Sequence, residues 1–250
     1  MDNAVDQPYF ADHTTSVNDL QQFSHALLTP LAAIMGFAEV LASRDVEDEE
    51  VGEFGTIILD QSKRLAATIR AVVHLDQLAM GQPTACEPVD ANALVAHIVD
   101  SYTQTVTTHP VLLDLRGAGK VAIDVRHLNL VLTELLANAD RFSPAGSEIQ
   151  VITRGTNDSW SLFVSDHGSG IPVKMRQQIF DRFMKVPFAP SSPRQGAGLG
   201  LALVMEIARA YGGVAWAEEN RGGGARVGLR IQRTRQAPRE AGNDGRVQRG

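Results

Sequence analysis

The chain has a single cysteine, few aromatic residues and no concentrated run of basic charge. Cys86 is alone among 250 residues, so no disulfide can form within the chain, and a reducing compartment is the expected setting. Aromatic residues make up 6% of the chain, and its net charge is −6. The net negative charge argues against a nucleic-acid-binding protein, which usually presents a basic patch.

A hydrophobic run long enough to cross a bilayer is also missing on inspection of the sequence. The most apolar stretch covers residues 26–42 and is shorter than a typical span. Thr29, Pro30 and Glu39 interrupt it. The first twenty residues are polar and acidic and do not look like a signal peptide. These features predict a cytoplasmic chain with no membrane segment.

Apolar residues recur at helical spacing over two long segments before residue 80. In the first segment they are Leu20, Phe23, Leu27, Leu31, Ile34, Phe37, Ala38 and Leu41. In the second they are Phe54, Ile57, Ile58, Leu65, Ile69, Val72, Leu75 and Leu78. An acidic run separates the two helices, which favours an antiparallel hairpin. A hairpin this thin does not bury both apolar faces, so we expect two copies to form a four-helix bundle in a homodimer.

After the turn-forming residues Gly81-Gln82-Pro83, the pattern alternates between helix and strand. Helices are predicted at 92–105, 127–142 and 199–211, and strands at 111–115, 121–124, 148–153, 160–165, 214–218 and 225–232. This order predicts an α+β fold, with one mixed sheet covered by helices on one face. The expected organisation is a flexible lead-in at 1–15, a helical hairpin at 16–80, a linker at 81–87, an α/β sandwich domain at 88–233 and a disordered tail at 234–250.

Three glycines at alternate positions, Gly196, Gly198 and Gly200, run into the last predicted helix. Glycine adopts positive φ and lets the backbone approach a ligand closely, and the amides that begin a helix favour an anion. Alone, a glycine-rich turn of this kind is common in purely structural roles. Here it follows two other motifs, namely Asn138 in the helical run Glu-Leu-Leu-Ala-Asn-Ala-Asp-Arg-Phe and the segment Asp166-His167-Gly168-Ser169-Gly170.

With these motifs in this order, the chain resembles the sensor histidine kinases of two-component signalling. More broadly it resembles the ATPase superfamily that these kinases share with gyrase, mismatch-repair and heat-shock chaperone ATPases. The resemblance implies a phospho-acceptor hairpin at 16–80, an ATP-binding domain at 88–233, and ATP and Mg²⁺ as cofactors. The implied partners are a second copy of the chain and the receiver domain of a response regulator. The signal is expected either from further segments of a longer sensor or from an upstream sensor protein.

The resemblance assigns roles to one face of the predicted helix at 127–142. Asn138 takes the position of a metal ligand, and an oxygen held rigidly on a helix suits Mg²⁺. Glu134 lies four residues earlier on the same face, where relatives carry a residue that orients water or acts as a base. Arg141 is expected to contact phosphate, and Phe142 to lie beside the nucleotide.

Further nucleotide-binding roles fall on the glycine motifs. Asp166 is implied to accept a hydrogen bond from the exocyclic amine of adenine, with Gly168 and Gly170 turning the chain behind it. Phe183 resembles part of the aromatic motif that anchors a mobile lid. The remaining residues implied to bind nucleotide begin the next helix: Gly196, Gly198, Leu199 and Gly200.

Of the seven histidines, His25 alone lies in a context that resembles a phospho-acceptor motif, followed by Thr29-Pro30-Leu31. Pro30 removes a helical hydrogen bond one turn later, so we expect the helix to bend there. A ring nitrogen of an exposed imidazole is a nucleophile that can hold a phosphoryl group. Thr29 shares the face of His25 and is expected to orient a water for dephosphorylation.

Two positions depart from the pattern of the family. Ala26 stands where relatives generally have Glu or Asp to take the proton of the histidine, and Leu28 stands where they tend to have Arg. General-base help is typically worth ~10²–10⁴-fold in rate. Beside an ATP-dependent histidine kinase, with phosphatase activity as an addition, two hypotheses therefore stay open. One is a nucleotide-binding pseudokinase, scaffold or phosphatase-biased regulator, and the other is a chaperone-type ATPase with Glu134 as its hydrolytic base.

Overall fold

The computed structural model describes residues 17–43, 48–80, 87–105, 109–117, 120–184 and 197–233. The predicted lead-in at 1–15, the linker up to residue 86 and the tail at 234–250 lie outside these ranges. The chain divides into two compact units between Ala66 and Ala67. This division falls inside the second helix, so the end of that helix belongs to the second unit.

Two long helices, α1 (Val17–Ala42) and α2 (Asp48–Met80), have the bounds expected from the helical spacing of their apolar residues. Within the first unit, the rings of Phe37 and Phe54 pack 5.3 Å apart and join the two helices. Many large apolar side chains of this unit are nevertheless exposed: Leu20, Leu28, Leu31, Met35, Val40, Val51 and Leu59. A single copy of the unit therefore leaves a wide apolar surface uncovered.

The prediction that no segment is long enough to cross a membrane is wrong. Residues Leu20–Ala42 of α1 form a stretch of 23 residues with a mean hydropathy of 1.6, which suffices for a span by length and composition. The predicted stretch began too late, at residue 26, and Thr29 was counted as an interruption of it. In the helix, the hydroxyl of Thr29 donates to the carbonyl of His25 at 2.9 Å, so its polarity is satisfied internally.

The second unit contains a five-stranded mixed sheet with helices packed on it. Its elements are β1 (Val89–Asp90), α3 (Ala91–Thr105), β2 (Val111–Leu115), β3 (Lys120–Val121), α4 (Val125–Phe142), β4 (Ile149–Gly155), β5 (Ser159–Ser165), α5 (Gly200–Ala210), β6 (Val214–Glu219) and β7 (Ala225–Gln232). The strand order is β2-β4-β5-β7-β6, with β2 parallel to β4 and the other pairs antiparallel. The strands β1 and β3 pair separately. The α+β fold class is thereby confirmed.

Helix α4 turns one face to the core and an adjoining edge to the candidate site. The core face carries Leu128, Val131, Leu132, Leu135, Leu136 and Ala139, which repeat at helical spacing. In β5, alternate side chains such as Trp160 and Leu162 are buried. Glu134 and Asn138 are four residues apart and lie beside the buried positions on the helix surface. They therefore share the edge of α4 that borders its core face.

One predicted strand, at 121–124, is mostly not a strand. The strand β3 ends at Val121, and Asp124 instead caps the N-terminus of α4, where its carboxylate accepts from the backbone N–H of Arg126 at 2.8 Å. The N-cap made by Asp124 begins α4 here, although Val121 and Ile123 are residue types that favour strands. The short strand β1 had no pattern in the sequence that predicts it.

Candidate functional site

Polar side chains converge near the C-terminal end of α4. The Nη2 atom of Arg141 donates to Oδ1 of Asn138, and the guanidinium lies 4.6 Å from the centre of the Phe142 ring. The Nε atom of Arg141 is buried, and no described residue accepts a hydrogen bond from it. A buried N–H without a partner is rare in proteins, so an oxygen of an anionic ligand is a suitable acceptor for it.

Glu134 lies beside the beginning of α5. A Cβ atom on Gly200 would collide with Oε2 of Glu134, so glycine is required where this carboxylate approaches the helix. Burial raises the pKa of Glu134, and the nearby charge of Arg141 opposes that shift. Burial likewise lowers the pKa of Arg141, against the effect of Glu134. The carboxylate of Glu134 and the guanidinium of Arg141 therefore lie near each other in a partly buried part of the site.

Asp166 follows β5 and is only 7% exposed. Its Oδ1 atom accepts hydrogen bonds from the backbone N–H groups of Gly168, at 2.8 Å, and Ala225, at 3.1 Å. Burial raises the pKa of Asp166, and these two hydrogen bonds act in the opposite direction. No described residue donates to Oδ2, so that oxygen is the one left to accept from a ligand.

The turn between β6 and β7 holds the backbone of Asp166 in place. The side-chain amide of Asn220, itself 8% exposed, donates to the carbonyl of Asp166 at 2.9 Å. The N–H of Asp166 donates to the carbonyl of Ala225 at 2.8 Å. Gly222, Gly223 and Gly224 of this turn have φ values of +98°, +99° and +93°. Asn220 was not among the predicted site residues, and its only signal in the sequence is that an asparagine begins a glycine-rich turn.

The loop after β5 packs closely against the end of α4. A Cβ atom on Gly168 would collide with the carbonyl oxygen of Phe142. Gly170 has a φ of +72°, and a Cβ there would lie 3.2 Å from the carbonyl oxygen of Gly224. The two glycines therefore allow the Asp166 loop, the end of α4 and the β6–β7 turn to meet.

Phe183 and Gly198 lie together just before α5. Phe183 has a φ of +64°, an unusual conformation for a residue other than glycine, and its N–H donates to the carbonyl of Gly198 at 2.8 Å. Gly198 has a φ of +79°, and a Cβ on it would lie 2.7 Å from the carbonyl carbon of Phe183. The next residue, Leu199, is buried. Gly196 lies outside the described residues.

His25 and Thr29 lie on α1, in the first unit, and both are exposed. The hydroxyl oxygen of Thr29 is 3.0 Å from Nδ1 of His25 and 2.9 Å from the carbonyl oxygen of the same residue. An open groove along this face of the helix is lined by His25, Thr29 and their neighbours Leu20, Gln21, Ser24, Leu28 and Ala32. The imidazole is therefore accessible to a second molecule or domain.

Two family models match the chain and together cover more than half of it. The model described as histidine kinase-, DNA gyrase B- and HSP90-like ATPase matches residues 123–235, which hold all the predicted nucleotide-site residues. The model described as the His Kinase A (phospho-acceptor) domain matches residues 20–81, which hold His25 and Thr29.

The relatives and neighbours of the chain include sensor proteins and histidine kinases. Sensor protein SrrB of Staphylococcus aureus is 31% identical over 194 residues, which are 76% of this chain and 33% of SrrB. The fold resembles histidine kinase AdeS of Acinetobacter baumannii, with a TM-score of 0.68, 24% identity and coverage of 84% of this chain and 98% of that one. It also resembles histidine kinase ThkA in a complex with response regulator protein TrrA, with a TM-score of 0.69, 16% identity and coverage of 88% and 62%.

The chain spans about one third of the length of the curated relatives that it matches. Its similarity to a sensor protein and the membrane-length stretch in α1 overturn the prediction of a cytoplasmic location. A phospho-acceptor domain is followed by an ATPase domain, in the order that the motifs indicated. The chain belongs to the sensor histidine kinases of two-component systems.

Proposed function

We propose that the chain is an ATP-dependent protein histidine kinase that phosphorylates His25 and passes the phosphoryl group to an aspartate of a response regulator. The observation that carries this proposal is a pair of polar atoms in the second unit that make no hydrogen bond to a described residue. Oδ2 of Asp166 is an acceptor suited to an amine, and Nε of Arg141 is a donor suited to phosphate. Adenine nucleotides carry both complementary groups.

The residues around Asn138 fit a magnesium ion that is bound mainly through phosphate. Among the described residues, no three His, Cys, Asp or Glu side chains form a cation site. Mg²⁺ commonly takes one or two protein oxygens and completes its shell with phosphate oxygens and water. Asn138 would supply one such oxygen, with Glu134 close by. When bound, the ion would neutralise charge on the phosphates during transfer.

The first unit supports the acceptor and the partners that we propose for the kinase. His25 is exposed in an open groove, which suits a nucleophile that must receive and then release a phosphoryl group. The complex of ThkA with a response regulator supports a receiver domain as the partner that takes the group. The exposed apolar side chains of the hairpin support a homodimer. The signal would come from further segments of a longer sensor or from an upstream sensor protein.

The proposed kinase activity is tested with the full chain, radiolabelled γ-phosphate ATP and Mg²⁺. We expect a label that is lost in acid and kept in alkali, as is typical of phosphohistidine. His25→Gln abolishes the label, whereas His97→Gln, which alters an exposed histidine of α3, keeps it. A label that survives in His25→Gln places the acceptor elsewhere and contradicts the proposal.

A pseudokinase or phosphatase-biased regulator is the second candidate, and Ala26 favours it. Calorimetric titration with ATP and Mg²⁺ separates the candidates. A chain that binds ATP but takes up no label is a pseudokinase. For either candidate, Asp166→Ala and Asn138→Ala are each expected to weaken ATP binding strongly. If both variants bind like the parent, the nucleotide site is misplaced.

A further inference from the structure

The hydroxyl of Thr29 touches two atoms of His25, and elementary hydrogen bonding decides what each contact is. The carbonyl oxygen of His25, 2.9 Å away, can only accept, so this contact is a hydrogen bond only when the single hydroxyl proton of Thr29 points to it. The oxygen of Thr29 is then an acceptor for its second contact, with Nδ1 of His25 at 3.0 Å. Both contacts are therefore hydrogen bonds at the same time only when Nδ1 carries the ring proton.

The other groups near the ring offer no alternative acceptor for that proton. Ala26 has only a methyl group, and the hydroxyl of Ser24 donates to the carbonyl of Leu20 at 2.9 Å. In the described part of the chain, no hydrogen bond joins Gln21 or Ser24 to the imidazole. The remaining residues that line the groove are apolar. Among the described residues, Thr29 is therefore the side chain that makes a hydrogen bond to the ring.

We propose that Thr29 is a positioning residue for phosphoryl transfer, because it holds His25 in the tautomer with the proton on Nδ1 and the lone pair on Nε2. This proposal rests on the proposed kinase function. It assigns to a threonine hydroxyl, in a chain with Ala26, the contact with the Nδ1 proton that an acidic side chain at position 26 would make. The histidine is then ready to react without a carboxylate beside it.

The reaction that this tautomer serves is balanced as follows. The Nε2 lone pair attacks the γ-phosphorus of ATP, and an N–P bond forms. The bond from that phosphorus to the bridging oxygen breaks, and its electron pair leaves with ADP. The ring becomes an imidazolium whose Nδ1 proton remains hydrogen-bonded to Thr29, and this proton later passes to solvent. A hydrogen bond from a charged donor is stronger than one from a neutral donor, so Thr29 helps more in the transition state than before it.

The tautomer is measured without any reference to activity, by ¹⁵N NMR of the full chain labelled at histidine. His25→Gln identifies the signals of His25. We expect the parent to carry the proton on Nδ1 of His25 at a pH where the ring is neutral, and Thr29→Val to move it partly to Nε2. His74 is an internal control, because its Nδ1 lies 2.8 Å from the carbonyl oxygen of Arg70 and must donate to it in both proteins. A parent protein with the proton on Nε2 of His25 overturns the proposal.

The kinetic test uses a matched pair of threonine variants. Thr56 of α2 makes the same type of hydroxyl bond to a carbonyl four residues earlier, at 2.9 Å to Gly52, but it has no histidine beside it. We expect Thr29→Val to slow autophosphorylation about tenfold and Thr56→Val to leave the rate unchanged. Thr29→Ser keeps an acceptor and is expected to recover most of the rate. Helicity and ATP affinity should be the same in all three variants.

A rescue experiment separates a positioning role from general damage to α1. Ala26→Glu in the Thr29→Val background supplies a new acceptor next to the ring, and we expect it to restore both the tautomer and the rate. Equal rates for the parent and Thr29→Val would overturn the proposal. If the parent takes up no label at all, the kinase function fails, while the NMR measurement still decides the tautomer.

Discussion

Asp166 combines two requirements in one carboxylate, since one oxygen is held by the backbone and the other is left for a ligand. Burial raises the pKa of this group above the ordinary aspartate value of 3.8. The folded chain therefore binds a proton at Asp166 more readily than the unfolded chain, so protonation here favours folding. Protonation also weakens the carboxylate as an acceptor. If Asp166 binds adenine as proposed, the affinity for adenine and the contribution of this group to stability change in opposite directions as the pH falls.

The raised pKa of Asp166 leads to a prediction for the pH dependence of nucleotide binding. As the pH falls through the raised pKa of Asp166, the affinity for ATP should decrease more than the affinity for ITP, whose base has no 6-amino group to donate. Calorimetric titrations of both nucleotides across the acid range measure the difference. The Asp166→Asn variant serves as control and should show no such divergence. A constant ratio of the two affinities in the parent protein would contradict the assignment of Asp166.

At the scale of elements, the turn between β6 and β7 supports the loop that follows β5. We expect Asn220→Leu, which keeps the size of the side chain and removes its donor, to weaken ATP binding about tenfold, because the carbonyl of Asp166 loses a buried hydrogen bond. The matched control is Thr153→Val, which removes another buried hydrogen bond, from Thr153 to Asn92 at 2.8 Å, away from the site. Calorimetry should give similar affinities for the control and the parent. Similar ATP affinities for Asn220→Leu and Thr153→Val would contradict the proposal that the β6–β7 turn holds Asp166 in position for the nucleotide.

The N-terminus of α4 is joined to the end of α5 through a tyrosine hydroxyl. Tyr211 accepts a hydrogen bond from the N–H of Asp124 at 2.9 Å, and its hydroxyl lies 2.9 Å from Nδ1 of His127. Burial lowers the pKa of His127 below its ordinary value of 6.5; Asp124 opposes this shift, and Arg126 and His74 add to it. The unfolded chain therefore binds the proton first, and the stability contributed by neutral His127 is lost as the pH falls below 6.5.

Urea unfolding at a series of pH values tests this behaviour. We expect the free energy of unfolding of the second unit to decrease as the pH falls from neutral towards the lowered pKa of His127. The His127→Gln variant should be less stable near neutral pH and should lose less stability on acidification. His97→Gln is the control, because that histidine is exposed on α3. Parallel curves for His127→Gln and the parent would contradict the role given to His127.

At the scale of the whole molecule, the exposed apolar faces of α1 and α2 require a partner. We expect the full chain to be a dimer in light scattering, because Met35 and Leu59 are 54% and 53% exposed in a single copy. Met35→Glu combined with Leu59→Glu should give a monomer. Leu112→Glu on β2 is the control, because Leu112 is 47% exposed but lies outside the hairpin. A parent protein that is monomeric in solution and binds to lipid vesicles would instead assign this surface to a membrane.

Local patterns in the sequence determined most of the secondary structure and the order of the motifs. Helical spacing alone predicts α1, α2 and α4, because one apolar face of each helix repeats every three to four residues. The same spacing places Glu134 and Asn138 on one face of α4, and the separation of four residues places Thr29 beside His25. The two wrong predictions also concerned local segments. The segment at 121–124 was assigned to a strand although Asp124 caps a helix, and α1 was judged too short to cross a membrane.

The tertiary structure alone decided how distant segments complete the site. Asn220 reaches the carbonyl of Asp166 from 54 positions further along the chain, because β7 lies beside β5 in the sheet. Phe183 has a positive φ, and its N–H donates to the carbonyl of Gly198, which lies 15 positions later in the chain. The helical and strand periodicities assigned neither residue to an element. Sequence periodicity reports which face of an element is buried, but not which element covers it. The contacts that occupy one oxygen of Asp166 and leave the other for the proposed ligand therefore depended on the packing of the sheet.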